Sequence, residues 1–427
     1  MKTWKVINIM VHPPAYELFR DEPRPEINWD TPDGRWVGIW GYDWADLIGK
    51  EVLKLTNEFG YEVWQPDLRA DKIYMYTFET GLVHRLFPAV SRETLLGFKL
   101  VDEVHSAQMA RILSKHVDEE RVVVHLNGDP LLYRSYLDFA WNTPIITSYH
   151  GVIQTPLTRL RSYTRNIPSK LNHIVEHLWF VKNINRIDYI TYQNEENIDV
   201  LKKFYHGDLL KVTMGCDFSF WQPGDRLQAR TDLGLPQDKI IFFTALRLVE
   251  SKQVDRLVDV FTRLSQKHDF MLLIAGHGDK KYERHLKERA AVLLSQGKVM
   301  FLGFIRGEHL RSYYLASDYY ILTSMTEGAS VSVMNAFACG VPVISTRTGH
   351  TAELMEQYKC GLLLDVYEYP MWQKELDRIL GNRKVVLPLD RNIAKKHYDW
   401  PNVARKFVDI YRRLVSEHFA DRRGVYS

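Results

Sequence analysis

Cysteine is the first scarcity: the chain has three in 427 residues, Cys216, Cys339 and Cys360. Odd in number and far apart, they fit a reducing compartment better than a disulfide framework or a thiolate zinc site. A surplus of charge is missing too. Lys and Arg total 56 against 53 Asp and Glu, a net charge of +3. That is too small for a general nucleic-acid binder, so any basic site has to be local. Long apolar runs are absent, since none reaches the ~18 uninterrupted residues a membrane-spanning helix requires. The opening MKTWKVINIMVHPP carries a short run interrupted by Asn8 and stopped by Pro13, too short and polar for a signal peptide or an anchor. A cytoplasmic protein is expected, with contact to the inner face of a membrane left open. Internal repeats and low-complexity tracts are lacking as well, which removes the fibrous and disordered classes.

What is present is an ordinary globular composition, 45% apolar, 26% charged and 12% aromatic. Beyond the ~250–300 residues at which a single core stops growing, such a chain should divide into at least two domains, and two domains imply a cleft. Runs with the length and branching of buried strands lie at Val6–Val11, Val122–Leu126, Pro144–Ser148, Ile190–Tyr192, Ile240–Ala245, Phe270–Ala275, Val299–Leu302, Tyr320–Thr323 and Val341–Ser345. Helix-periodic segments alternate with many of them, as at Trp44–Glu58, Asp255–Gln266, Tyr282–Leu294, Glu308–Ala316 and Ser330–Cys339. The alternation predicts an α/β fold of parallel sheets covered on both faces, with ligands at the C-terminal ends of the strands.

The pattern pauses at Phe218–Leu235, rich in proline, glycine and charge, which puts the linker near Gln222–Asp225 and the domains at residues 1–222 and 223–398. Residues 399–427 open on an amphipathic helix with apolar positions Val403, Phe407, Ile410, Tyr411 and Leu414, expected to pack back across the first domain. His12–Gly41, with five prolines and three tryptophans, is too long for an ordinary strand-to-helix loop; it reads either as a functional flap or as a surface insertion. Residues 157–186 concentrate Arg159, Arg161, Arg165, Lys170, Lys182 and Arg186 among aromatics and leucines. They read as an amphipathic helix pair with a solvated basic face, or as a surface for an anionic acceptor or lipid headgroups.

Three segments carry candidate chemistry. In SMTEGASVSVMNAFACGVPVIST, residues 324–346, a strand ends in a loop bearing Glu327, Gly328 and Ala329; a helix starts near Ser330 and Val331, and Gly340 closes it. The start of such a helix offers free N–H groups and a positive dipole end, a seat for phosphate. Glu327 beside that seat would repel a bare phosphate, so its better use is to hold hydroxyls of an attached sugar. In TALRLVESKQVDRLVDVF, residues 244–261, Arg247 and Lys252 sit between a strand and a helix, where two cations can neutralise a leaving diphosphate. In SYHGVIQTP, residues 148–156, His150 ends a first-domain strand; His125 in VHLNGD is a second histidine of the same kind.

These segments resemble the family 4 retaining glycosyltransferases of GT-B fold, in which two Rossmann-like β/α/β domains face a central cleft. The family signature is a Glu, seven residues, a second Glu, then Ala-x-Ala-x-Gly-x-Pro-Val-Ile. Glu327 matches the first Glu, and Ala336, Ala338, Gly340, Pro342, Val343 and Ile344 match the trailing part. Asn335 stands where the family places the second Glu. Arg247 and Lys252 are spaced as in the family's Gly-Arg-Leu-x-x-x-Lys-Gly, with Leu246 and Gln253 replacing both glycines. GYEV at 60–63, MGCD at 214–217, LIAGHGD at 273–279, VMFLGFI at 299–305, TGHTAEL at 348–354 and CGLLLD at 360–365 follow in the family's order.

The resemblance implies that Glu327 holds the donor sugar, that Asn335 faces the ribose, and that His150 contacts the donor sugar or its phosphate. The strands carrying Gly276 and Ile305 would flank the nucleotide base, and Gly328, Ala329, Ser330 and Val331 would line the phosphate. The family's glycine-rich loop after the first strand would fall among Gly34, Gly38 and Gly41, whose spacing differs, so Gly41 and His125 are only acceptor-side candidates. The expected reaction moves a hexose from a nucleoside-diphosphate sugar, as co-substrate, to a hydroxyl of a glycan, lipid-linked or small-molecule acceptor with retention. No cofactor is expected, and the lack of any Asp-x-Asp points to catalysis without a divalent metal. A sugar-nucleotide 2-epimerase, a phosphorylase, or a non-catalytic nucleotide-sugar-binding partner remains open on the same scaffold.

Overall fold

The computed structural model describes residues 4–10, 44–67, 70–92, 103–140, 142–151, 153, 167–196, 198–366, 368–382 and 385–424. The chain divides into two compact units, Met1–Met214 with Trp400–Ser427, and Gly215–Asp399.

The first unit is built on an eight-stranded sheet. Its strands, with a separate two-stranded pair, are β1 (Trp4–Ile9), β2 (Phe59–Asp67), β3 (Tyr74–Thr77), β4 (Val83–Pro88), β5 (Val90–Arg92), β6 (Glu103–His105), β7 (Val122–Asn127), β8 (Ile145–Ser148), β9 (Tyr189–Tyr192) and β10 (Asp208–Lys211). The large sheet runs β10-β9-β8-β7-β1-β2-β4-β3, parallel except for the antiparallel edge pair β3–β4, while β5 and β6 pair with each other. Its centre is aliphatic: Val6, Ile7, Val123, Val124, Ile145 and Ile146 have no exposed surface, as strands covered on both faces require.

The C-terminal helix Trp400–Gly424 belongs to this unit. Val403, Phe407, Tyr411 and Leu414 are buried in one cluster with Ile48, Val52, Phe59 and Tyr61. The 3.6-residue period of its apolar side makes that face continuous.

The second unit carries β11 (Ile240–Ala245), β12 (Phe270–Ala275), β13 (Val299–Gly303), β14 (Tyr319–Leu322), β15 (Val343–Thr346) and β16 (Leu362–Leu364). All pairs are parallel, in the order β13-β12-β11-β14-β15-β16. Consecutive strands run outward from β11 in one direction and then, from β14, in the other. The loops after β11 and β14 therefore leave a topological switch point, the usual ligand position in an open parallel sheet.

The linker expected near Gln222–Asp225 lies inside the second unit. Trp221 packs edge-on against Tyr314 at 5.5 Å, and the Arg311 guanidinium donates to the Gln222 carbonyl at 3.3 Å. These contacts fasten a stretch that composition alone marks as a connector. The division falls instead at Met214/Gly215 and Asp399/Trp400.

Candidate functional site at the switch point of the second sheet

After β14 the chain turns through residues 323–330 into the helix Val331–Cys339. Hydrogen bonds fix this loop from both sides. On the β11 side, the Thr323 hydroxyl donates to the Lys252 carbonyl at 2.7 Å and the Met325 amide to the Ser251 carbonyl at 2.8 Å. On the β15 side, the Thr346 hydroxyl donates to the Ser324 carbonyl at 2.7 Å and the His350 amide to the Gly328 carbonyl at 2.8 Å. Gly349, at φ +68°, closes the approach: an added Cβ would lie 2.7 Å from the carbonyl oxygens of both Glu327 and Gly328. The loop is preorganised by backbone contacts that need no ligand.

The loop after β11 is shaped by two backbone requirements. Gln253 adopts the left-handed conformation, φ 51° and ψ 36°, which explains why a glycine suits that position: a side chain there costs about 1 kcal/mol. Gly276, at φ +134°, passes so close to Leu246 that a Cβ would overlap the Leu246 carbonyl oxygen. The Leu248 amide donates to the His277 carbonyl at 2.8 Å, which ties the loops after β11 and β12 together.

The two loops bring their charges together. The Lys252 ammonium lies 2.6 Å from Glu327 Oε1, with the two side chains 14% and 12% exposed. The Ser324 hydroxyl donates to the same Oε1 at 2.6 Å. Short, charge-assisted bonds in a half-buried setting hold the carboxylate in one orientation. Arg247 is exposed, and its guanidinium makes no hydrogen bond or ion pair among the described residues. With Lys252 matched by Glu327, Arg247 supplies the surplus positive charge of this edge.

The helix Val331–Cys339 begins beside Glu327. Its N-cap, Ser330, makes no side-chain capping bond; its hydroxyl meets the Ser332 hydroxyl at 3.0 Å instead. First-turn N–H groups of such a helix lack intrahelical acceptors and form a ready seat for an anion. Gly340 ends the helix at φ 78° with its amide donating to the Ala336 and Phe337 carbonyls. Gly328 and Ala329 are buried in the loop, Val331 is exposed at the helix start, and Ile305 follows β13 half-buried. The edge thus combines a fixed carboxylate, two cations and a helix start, a set that can grip hydroxyls and a diphosphate at once.

Asn335, expected on a ribose, is turned inward and 7% exposed. Its Oδ1 accepts from Cys216 Sγ at 3.3 Å, and its amide lies beside the buried Tyr314 phenol. Burial raises both the Cys216 thiol and the Tyr314 phenol well above their ordinary values, so both stay neutral; the thiol donates to the amide, while the phenol donates to the Ser332 carbonyl at 3.0 Å.

In the first unit, His150 follows β8. Its Nδ1 lies 3.1 Å from Gln193 Nε2 and its Nε2 3.4 Å from Asn127 Oδ1. The Gln193 amide donates to Nδ1, which leaves the ring proton on Nε2 toward Asn127. His125, an acceptor-side candidate from sequence, has no exposed surface. Its Nδ1 meets the Tyr411 hydroxyl and its Nε2 the Ser148 hydroxyl, each at 2.7 Å. Burial pushes its pKa down to about 3. It is a neutral core residue that joins β7 to the C-terminal helix, and no acceptor can reach it. Gly41 and the stretch His12–Gly41 lie outside the described residues, as do residues 157–166.

Sequence reasoning missed Thr323, Ser324, Thr346, Gly349 and His350, which build the Glu327 loop. Their signal is weak, small polar residues just past strand ends, and their partners are distant in sequence. Among the described residues, no group of three or more His, Cys, Asp or Glu is placed to hold a metal ion.

Two parallel-sheet units of this kind match the fold of solved GT-B glycosyltransferases. Residues 225–400, nearly all of the second unit, match the family model "Glycosyl transferases group 1". Among curated proteins the chain is similar to an uncharacterized glycosyltransferase of Methanocaldococcus jannaschii, 25% identical over 44% of this chain and 48% of that protein. It is also similar to the D-inositol 3-phosphate glycosyltransferase of Saccharomonospora viridis, 24% identical over 65% of this chain and 66% of that protein. The match thus spans about half to two thirds of these relatives' length. Among solved structures, the sucrose-phosphate synthase of Thermosynechococcus elongatus superposes with a TM-score of 0.69 at 15% identity, covering 97% of this chain and 100% of that one. HepE of Anabaena in complex with UDP-glucose gives 0.66 at 13% identity, covering 96% and 99%. At such identities the likeness is one of fold.

Proposed function

We propose that the protein transfers a hexose from a nucleoside-diphosphate sugar to a hydroxyl acceptor, with retention and without a metal ion. The observation that carries this reading is the Lys252–Glu327 contact at the switch point beside the start of the helix Val331–Cys339. Glu327, held through Oε1, accepts from sugar hydroxyls. Arg247, Lys252 and the helix start take up the charge that develops on the diphosphate as its bond to the anomeric carbon breaks. The acceptor oxygen bonds to the same face of that carbon, and its proton passes to the leaving phosphate. His150 is assigned a contact with the donor. The acceptor classes in view are a glycan, a lipid-linked hydroxyl or a small molecule, with no nucleic acid involved. HepE of Anabaena, solved with UDP-glucose, makes UDP-hexoses the first donors to test.

The test is nucleotide release by the pure chain supplied with UDP-, GDP- or ADP-hexoses and a panel of hydroxyl acceptors. Release with one donor, reduced ~10²–10³-fold by Lys252→Ala or Glu327→Ala while the circular dichroism is retained, is the expected result. Full turnover in either variant would sink the site assignment. Tight nucleotide-sugar binding with no release under any acceptor would indicate a non-catalytic binder, and an epimerised donor without acceptor would indicate an epimerase.

A further inference from the structure

At the switch point of the second sheet, β11 and β14 start side by side and part early. β14 pairs with β11 only at Phe242–Tyr319 and Phe243–Tyr320, whereas β12 accompanies β11 to its last residue, Ala245 opposite Ala275. Along a strand between two parallel neighbours, successive residues turn their backbone groups to one side and then the other. The Ile241 carbonyl accepts from the Asp318 amide at 2.9 Å on the β14 side, and the Leu246 amide donates to the Ala275 carbonyl at 3.1 Å on the β12 side. That alternation puts the amide and carbonyl of Ala245 on the β14 side, beyond the point where β14 has left. Peptide groups inside a sheet need partners, and these have to come from something other than a strand.

The Tyr320 side chain supplies both. Its phenol donates to the Ala245 carbonyl at 3.0 Å and accepts from the Ala245 amide at 3.3 Å, so one hydroxyl stands in for a strand residue. Burial pushes the phenol up to about 12, which keeps it neutral and able to donate. Tyr320 has no exposed surface and can act on a substrate only through what it holds. What it holds is the root of the charged loop: Arg247 comes two residues after Ala245. The Tyr320 ring stacks on Tyr314, with centroids 5.4 Å apart and planes 26° from parallel. The Tyr314 phenol donates to the Ser332 carbonyl at 3.0 Å, in the first turn of the helix Val331–Cys339. The two rings thus brace the root of the Arg247 loop against the helix start. The Thr323 and Met325 bonds hold the other end of that loop, at residues 251 and 252.

We propose that Tyr320 is a positioning residue for the transfer: by holding the Ala245 peptide it aims the Arg247 guanidinium at the diphosphate whose charge grows as the sugar leaves. The inference rests on the reading of this strand edge as a nucleoside-diphosphate site. It adds a buried phenol that never touches the substrate and yet sets where a cation meets it.

Tyr320→Phe removes the hydroxyl and keeps the ring on Tyr314 and Phe243. The experiment measures nucleotide release per folded chain, with the folded fraction from circular dichroism, beside calorimetric binding of UDP, GDP and ADP. The nucleoside diphosphate carries in full the charge that the transition state develops, so kcat and the affinity for it should both fall ~10-fold, while KM for the donor moves less than ~2-fold. In an Arg247→Ala background the same change should lower kcat by about 2-fold or less, because the group it aims is gone. Tyr319→Phe is the control. It removes a phenol bond to the Val385 carbonyl at 2.8 Å, at the start of the same strand, and should lower stability without changing kcat. Tyr314→Phe loosens the other end of the brace and should lower kcat ~3-fold, which decides the matter if Tyr320→Phe does not fold. Wild-type kcat in folded Tyr320→Phe overturns the proposal, as do losses that multiply in full across the Arg247→Ala cycle. Nucleotide binding without release by the wild type would end the transfer reading alone, and the same cycle run on nucleoside-diphosphate affinity then decides this one. No binding of any of the three nucleotides overturns both.

Discussion

Each sheet reverses its strand order once, between β1 and β7 in the first unit and between β11 and β14 in the second, and the two reversals are furnished differently. In the second unit the strand ends carry Lys252 and Glu327 in a half-buried contact, with Arg247 exposed beside them. In the first unit Asn8 of β1 and Asn127 of β7 hydrogen-bond to each other and are buried, 0% and 1% exposed. From Asn8 a polar chain runs through Tyr61 and Tyr411 to His125, Ser148 and Thr191. Polar residues in the interior of a parallel sheet must find partners. In the first unit they find one another and are sealed in, and in the second the pair stays at the edge with some exposure to solvent. A polar residue near a strand end is thus a candidate for a site only where its partners leave it accessible.

That contrast breaks most readily in the loops that aim the second unit's charges. Gly276→Ala forces a Cβ into the Leu246 carbonyl at a φ of +134°. It should cost about 2–3 kcal/mol of stability and lower nucleotide release as well, since the Arg247–Lys252 loop starts from Leu246. Lys252→Ala loses release and keeps its fold. Urea unfolding beside nucleotide release separates the two, and a fully stable, fully active Gly276→Ala would mean that the loop after β11 tolerates displacement.

The first unit's buried chain should register in stability against pH. His125 titrates ordinarily near 6.5 and is held down to about 3 when folded. Between those values the unfolded chain binds a proton that the folded one refuses. The group's contribution is therefore complete above about 6.5 and is lost as pH falls toward about 3, at up to ~1.4 kcal/mol per pH unit. Other groups titrate in the same range, so the reading is the difference between wild type and His125→Gln. The variant should show the flatter pH dependence of urea midpoints between pH 7 and 5; equal slopes would mean that His125 takes up its proton without unfolding.

The strands at the sheet centres were legible because uninterrupted runs such as Ile240–Ala245 and Phe270–Ala275 are buried on both faces. β2 was not read as a strand, since FGYEVWQPD carries glycine, proline and Glu62. Glu62 is buried only because Lys5, Arg85 and Trp64 meet its carboxylate, partners no local pattern reveals. At the site, Glu327 and Lys252 were legible from spacing. Their contact was not, because it joins residues 75 apart in sequence and depends on β11 and β14 lying side by side. His125 and His150 look alike in sequence, each at the end of a strand run; the difference lies in the C-terminal helix, whose Tyr411 covers one of them.

The finest point of the comparison concerns Gln253, where the second unit accepts strain beside its own charged pair. Among the described residues only Gln253 and Lys359 are non-glycine residues at positive φ. Lys359 merely ends the helix Gly349–Tyr358, whereas Gln253 separates Lys252 from the helix Val254–Leu264. Its side chain is 5% exposed, so it packs while its backbone is strained. Gln253→Gly relieves the left-handed cost, about 1 kcal/mol, and forfeits some packing and unfolded-state restriction. The net should be a gain of about 0.5 kcal/mol, read as a small rise in urea midpoint. Nucleotide release should hold, because the Thr323 and Met325 bonds fix residues 251 and 252 from the other side. A loss of release without a loss of stability would show that the Gln253 side chain itself serves the site.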